Sequence, residues 1–242
     1  MTVIPLEKKV LSENQRIAAS LRSRFEEQDV LCLNLISSPG SGKTMLLERT
    51  LSRFRPEERV AVLTGDLQTE NDAKRLARYG FPVQQITTGG VCHLDGRMIE
   101  RALERWSLDE IELLFIENVG NLVCPSSYDL GEEAKIVLLS VTEGEDKPLK
   151  YPSIFAKAEL LVMTKIDLLP YVPFDMEQAR ANARLVHPGM EIVELSCTTG
   201  EGMDEWSGWL SRRRAPATEP SELFAVFGGS AVDGAACEDA GT

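Results

Sequence analysis

Apolar residues recur at Leu6, Val10, Ile17, Leu21 and Phe25 among Glu, Lys and Arg, and this helical spacing predicts an amphipathic helix at the start of the chain. The period then changes. Val30 to Ile36 is a short, nearly continuous apolar run that ends in Ser37-Ser38-Pro39-Gly40-Ser41-Gly42, which predicts a buried strand, a turn and then a helix from about Lys43 to Arg53. The same alternation predicts strands at 59–64, 82–86, 111–117, 135–142, 159–164 and 191–196, and helices at 68–79, 95–105, 152–157, 175–186 and 203–213. Buried strands alternating with amphipathic helices imply βαβ units. The expected fold class is therefore α/β, a mostly parallel sheet with helices on both faces. Ligands of such sheets bind at the carboxyl ends of the strands, which directs attention to Ser37, Asp66, Glu117 and Lys165.

Composition narrows the choice of partners. The 242 residues carry 26 Lys and Arg against 38 Asp and Glu, a net charge of −12, so neither nucleic acid nor an anionic membrane surface is an expected partner. The first thirty residues hold no signal-like apolar core, and the longest apolar stretches, such as Ile136 to Val141, fall far short of the roughly 20 residues that span a bilayer. A soluble cytoplasmic protein is expected, with reduced thiols, since the five cysteines are widely spaced and form no CxxC pair. From Ala215 onward Gly, Ala, Pro, Ser and acids dominate, so 1–214 are read as one domain with its N-terminal helix and 215–242 as a flexible acidic tail.

Residues 37–44 read S-S-P-G-S-G-K-T, a phosphate-binding loop in which Ser37 replaces the usual first glycine. Between a buried strand and a helix, the segment Pro39-Gly40-Ser41-Gly42-Lys43-Thr44-Met45 and the helix N-terminus make an anion cradle to which every residue but the proline adds a backbone N–H. Lys43 supplies a cation for the β- and γ-phosphates, and Thr44 a hydroxyl for Mg²⁺. Further on, Glu117-Asn118-Val119-Gly120 has the spacing of the D-x-x-G element of GTPases, with Glu117 able to hold Mg²⁺ through water and the Gly120 N–H able to meet a γ-phosphate. Thr164-Lys165-Ile166-Asp167 resembles the N-K-x-D guanine motif with Thr in place of Asn. The Asp167 carboxylate matches the guanine N1–H and N2–H₂ donors and repels the adenine edge. Ser196-Cys197-Thr198 falls where such GTPases place the loop behind the base.

One of only two histidines, His93, directly follows Cys92, and Cys124 lies seven residues past Glu117. Thiolates beside an imidazole suit Ni²⁺ or Zn²⁺ better than Mg²⁺ or Ca²⁺. Three ligands are one fewer than a closed tetrahedral site requires, so water or a second subunit completes the shell. Cys32 inside a strand, Cys197 behind the base and Cys237 in the tail are weaker candidates.

Together with T-G-D-L-Q-T-E-N-D (64–72), G-G-V-C-H-L-D (89–95), E-N-V-G-N-L-V-C-P (117–125), V-T-E-G-E-D-K-P-L-K-Y-P (141–152), T-K-I-D-L (164–168) and S-C-T-T-G-E-G-M-D-E-W (196–206), these segments make the chain closely resemble the HypB family over about residues 5–212. Members are GTPase accessory proteins that deliver nickel to [NiFe]-hydrogenase. The related urease GTPases carry Cys-Pro-His instead, and no proline separates Cys92 from His93. The resemblance implies slow Mg²⁺-dependent conversion of GTP to GDP, with Lys43, Asp66 and Glu117 at the reacting end. It also implies that Asp66 and Asp72 belong to the switch near Mg²⁺ and the attacking water. Cys92, His93 and Cys124 are implied to bind nickel, or zinc at the same site, at the interface of a homodimer formed with GTP. Implied partners are a nickel-binding accessory protein and the hydrogenase large subunit. No cysteine- or histidine-rich stretch opens the chain, so an N-terminal nickel store is not expected. A metal-storage protein is disfavoured by Lys43, Thr44, Asp167 and the scarcity of histidine, and a small-molecule kinase by Asp167.

Overall fold

The computed structural model describes residues 6–66 and 71–214. The proposed tail after 214 lies outside them, as do positions 68–70 of the expected third helix. Helix α1 spans Leu6–Glu27, α2 Lys43–Leu51, α3 Asn71–Leu76, α4 Gly96–Leu103, α5 Lys147–Lys150, α6 Pro152–Phe155, α7 Met176–Val186 and α8 Met203–Arg214. Strand β1 spans Leu31–Ser37, β2 Val60–Asp66, β3 Val83–Thr87, β4 Leu113–Glu117, β5 Ala134–Ser140, β6 Leu160–Thr164 and β7 Glu191–Leu195.

All seven strands are parallel, in the order β3-β2-β4-β1-β5-β6-β7. Because both sheet faces are covered, the five inner strands read as apolar runs rather than alternating ones, whereas the edge strands β3 and β7 are only partly buried. On one face Leu33, Leu35, Phe115, Ile136 and Leu138 pack under α2 and α8. On the other, Cys32, Leu63, Leu114 and Ile116 meet α1 and α4, while Val137, Leu139 and Leu161 meet α6 and α7. The chain leaves central β1 toward one edge and later fills the other side from β5 onward. That reversal of strand order leaves a crevice at the carboxyl ends, where Ser37, Asp66, Glu117, Ser140 and Thr164 end their strands.

The expected helix at 68–79 is described as α3 followed by a 3-10 turn over Ala77–Tyr79. The expected helix at 95–105 begins one residue later because Asp95 is its cap, its carboxylate accepting from Met98 N at 2.9 Å. Among the described residues four elements escape the periodicity: four-residue α5 and the 3-10 turns at Leu108–Glu110, Cys124–Ser127 and Ile166–Tyr171, all too short to show a repeat.

Trp206 illustrates the packing. It is fully buried, stacks on Trp209 with ring centroids 5.8 Å apart, and donates from Nε1 to Thr50 Oγ1 at 2.8 Å. Trp206→Ala removes all of this, and urea unfolding is expected to record a loss of about 3–5 kcal/mol. A loss under about 1 kcal/mol would mean that α8 contributes little to the core.

Candidate nucleotide and metal sites

At the end of β1 the backbone turns through Gly40 and Gly42, both in the left-handed region at φ 78° and 98°, and α2 begins at Lys43. Side chains other than glycine rarely adopt this geometry. The buried Lys43 ammonium donates to Ser37 Oγ at 2.8 Å, so the serine in the first position of the motif provides a resting partner for the lysine. Burial pulls the Lys43 pKa down, and the nearby Glu117 carboxylate opposes that pull. Glu117 is pushed up to about 7 by the same burial, with Lys43 opposing. One of its oxygens accepts from Thr44 Oγ1 at 2.6 Å, whereas the buried Oε2 has no protein partner. A hard divalent cation bound through oxygens fits this donor set.

Pro39, Gly40, Gly42, Lys43, Thr44, Met45, Asp66, Asp72, Glu117 and Gly120 line one open cleft of about 420 Å³. Gly120 abuts the phosphate loop, where an added Cβ would stand 3.0 Å from Pro39 Cα. Ser41 turns away from the cleft and donates to Glu143 at 2.6 Å. Burial raises the Glu143 pKa, but hydrogen bonds from Ser41 and Ser38 bring it below the usual range, leaving an anionic brace beneath the loop. Arg75 also lines the cleft, held by Glu48 at 2.6 Å and Asp72 at 3.3 Å. A larger groove of about 740 Å³ at the opposite ends of the strands is lined by arginines already paired with carboxylates, as in Arg59–Glu112 and Arg22–Asp129.

Thr164, Lys165, Asp167, Ser196, Cys197 and Thr198 do not line the phosphate cleft. They stand at and beyond the neighbouring ends of β6 and β7, and two hydrogen bonds join them to the phosphate loop. Thr164 Oγ1 donates to Ser41 O and Lys165 Nζ to Gly40 O, each at 2.7 Å. The threonine hydroxyl is thus committed to bracing the loop. Lys165 adopts φ 62°, a strained value for a side chain with a Cβ and typical of functional turns. Asp167 Oδ1 is buried without a partner, whereas Ser196 Oγ accepts the Thr198 and Thr199 N–H groups, both at 3.1 Å. Arg49 ties the Cys197 carbonyl to α2 at 2.8 Å. Burial lifts the Cys197 thiol to about 11, so without a metal it is protonated at neutral pH, and it stands apart from the Cys92–His93–Cys124 group.

Cys92, His93 and Cys124 form a third group. Their ligand atoms all lie within 4.8 Å of one another, and the two sulfurs are 2.9 Å apart. The Cys124 thiol beside it raises the Cys92 pKa, and burial lowers that of His93, which favours the neutral imidazole a metal needs. His93 stacks on Tyr128 at 3.8 Å, and its buried Nδ1 has no hydrogen-bond partner.

Several asparagines to which the sequence motifs assign no role hold these loops. Asn14 Oδ1 accepts from Gly96 N at 2.7 Å while its Nδ2 donates to Asp129 O at 2.8 Å. Asn118 Oδ1 accepts from Leu94 N at 3.2 Å, and Asn121 Nδ2 donates to Cys92 O at 3.2 Å. A sequence signal existed for Asn14, which occupies a position in the apolar stripe Val10, Ile17, Leu21, Phe25.

A parallel sheet with a glycine-turned anion cradle at its switch point defines a P-loop nucleotide-binding protein. Residues 31–194 match the CobW/HypB/UreG nucleotide-binding domain. The chain is 54% identical over 212 residues to the hydrogenase maturation factor HypB of Escherichia coli strain K12, covering 88% of this chain and 73% of that protein. The crystal structure of HypB from Archaeoglobus fulgidus is 39% identical with a TM-score of 0.79, covering 84% of this chain and all of that one. That of HypB from Helicobacter pylori in complex with nickel is 40% identical with a TM-score of 0.78, covering 84% and 95%. The chain belongs to the HypB family.

Proposed function

We propose that the protein is a slow GTPase whose nucleotide state controls a nickel site, and that it acts in the cytoplasm in the maturation of [NiFe]-hydrogenase. The observation that carries this reading is the segment from Glu117 to Cys124. At one end it lines the phosphate cleft, and at the other it supplies a thiol to the Cys92–His93 pair. Nickel is the cargo, and the family relatives named as hydrogenase maturation factors point to the recipient.

Lys43 leaves Ser37 to pair with the β- and γ-phosphates, and the N-terminus of α2 holds them in place. Thr44, Glu117 and Asp66 are the residues that would hold Mg²⁺, which neutralises charge on the phosphate oxygens when bound. The Gly120 N–H meets the γ-phosphate, and Asp72 lies at the switch beside the attacking water. Asp167 reads guanine through the carboxylate oxygen that has no partner in the protein, and Ser196–Thr198 back the base. Arg75 is already neutralised by Glu48 and Asp72, so it does not serve as an arginine finger, and turnover well below once per second is expected.

A GTP-bound homodimer completes the metal shell. Three ligands per chain fall short of four, and Val91 and Val123, 39% and 58% exposed, flank the cluster with apolar surface. The nickel-binding accessory protein and the hydrogenase large subunit stand before and after this chain in the transfer, and zinc is a competitor for the same ligands. Cys124→Ser is expected to weaken Ni²⁺ binding by more than the roughly 10–100-fold that loss of an outer-shell partner costs. Titration with nickel while following thiolate-to-metal absorption measures it. Native affinity in that variant would place the nickel elsewhere.

A further inference from the structure

Cys124 is joined to Gly120 through three intervening peptide residues, but Cys92 and His93 lie on a different loop and need a link through space. We propose that Asn121 is that link, a positioning residue that carries a displacement of the Gly120 peptide to the Cys92–His93 half of the metal cluster. The proposal rests on the reading above, in which Gly120 senses the γ-phosphate and Cys92, His93 and Cys124 hold nickel.

The Asn121 amide is engaged at both ends. Its Oδ1 accepts from Val123 N at 2.9 Å, which fixes the side chain to its own loop, and its Nδ2 donates to the Cys92 carbonyl at 3.2 Å. A rotation of the Gly120–Asn121 peptide therefore carries the amide, and the Cys92 carbonyl follows it.

The other end of the Cys92–His93 segment is fixed. Leu94 is fully buried and packs so tightly on β2 that a Cβ at Gly65 would stand 2.9 Å from its δ-carbons. Its N–H is held by Asn118, whose Nδ2 donates to Asn34 Oδ1 at 3.3 Å, and Asn34 donates in turn to Glu132 at 3.0 Å. All three polar residues are buried, and satisfied buried polar networks are rigid. Two residues later Asn14 on α1 holds Gly96 N at 2.7 Å. Cys92 and His93 thus span a short interval between a clasp that moves with the phosphate sensor and an anchor in the core. Pulling one end while the other stays fixed reorients both ligands, as the chain moves Cys124 from its own side. Asn118, by contrast, is part of the fixed anchor.

The test uses the full chain and nickel ion itself. Asn121→Asp keeps an acceptor for Val123 N but cannot donate to the Cys92 carbonyl, and Asn121→Ser, too short to span the gap, serves if the first variant does not fold. Ni²⁺ affinity is measured with GDP and with a non-hydrolysable GTP analogue bound, following thiolate-to-nickel absorption. The native chain should show affinities differing within the roughly 5- to 150-fold range usual for coupled sites. In the Asp variant the difference should collapse to less than about two-fold, while the absorption band persists with GDP. A merely structural role would weaken binding equally in both states and leave their ratio at the native value, and that result overturns the proposal. Equal affinities in the native chain would instead overturn the underlying switch, and the clasp with it.

Discussion

Lys43→Ala is expected to abolish measurable GTP turnover and to weaken nucleotide binding by an amount that calorimetric titration reads directly. Lys43 is buried beside Glu117 with its ammonium on Ser37, so it pairs with phosphate from a buried position where screening is weaker than at the surface. Truncating one partner of such a buried charge pair costs about 2–5 kcal/mol, or roughly 30- to 5,000-fold in affinity. The loss also removes the cation that holds the Glu117 pKa down, so the carboxylate is less ionised when the substrate arrives. Circular dichroism of the variant separates this effect from unfolding. Hydrolysis at the native rate would show that the Ser37–Thr44 loop does not bind the reacting phosphates.

Asp167→Asn should change which base the protein accepts. The carboxylate offers two acceptors to the guanine N1–H and N2–H₂ groups, and its Oδ1 is buried with no other group to satisfy it. Hydrogen bonds to charged groups contribute about 1.5–3 kcal/mol each, so replacing the carboxylate by an amide should weaken GTP binding by roughly 100-fold or more. The new amide N–H₂ points a donor where xanthine carries a carbonyl, so xanthosine triphosphate should gain affinity as GTP loses it. Competition against a labelled GTP analogue measures both. If GTP binding in this variant stays within a few-fold of native, the base is not read by Asp167.

The order of elements and the parallel sheet were legible in the sequence because buried strands such as Leu31–Ser37 and Leu113–Glu117 are unbroken apolar runs, and the helices between them repeat at their own period. The phosphate loop, the acid at Glu117 and the grouping of Cys92 with His93 were legible because each depends on residues close in the chain. Three features were not. The tie from Thr164 to Ser41 O spans 123 positions, so its hydroxyl could be read only as a departure from a motif and not as a brace. The Asn14 clasp joins α1 to Gly96 and Asp129, which are remote from it in sequence, and it is hidden in what reads as one polar position in an amphipathic stripe. Asn34 sits inside the strand run LCLNLIS, and no local rule says that Glu132 and Asn118 will meet it. Polar groups placed among apolar residues are the sign to follow, because burial obliges each to find a partner.

The coupling of nickel to nucleotide is reciprocal by linkage, so it is tested most directly from the nucleotide side. The measurement is the affinity of the native chain for GDP and for a non-hydrolysable GTP analogue, each with and without bound Ni²⁺. Nickel should shift the ratio of the two nucleotide affinities by the same factor by which the nucleotide shifts nickel affinity, within the range of about 5- to 150-fold. A ratio unchanged by nickel, in protein shown by thiolate-to-metal absorption to hold the ion at Cys92 and Cys124, would contradict it.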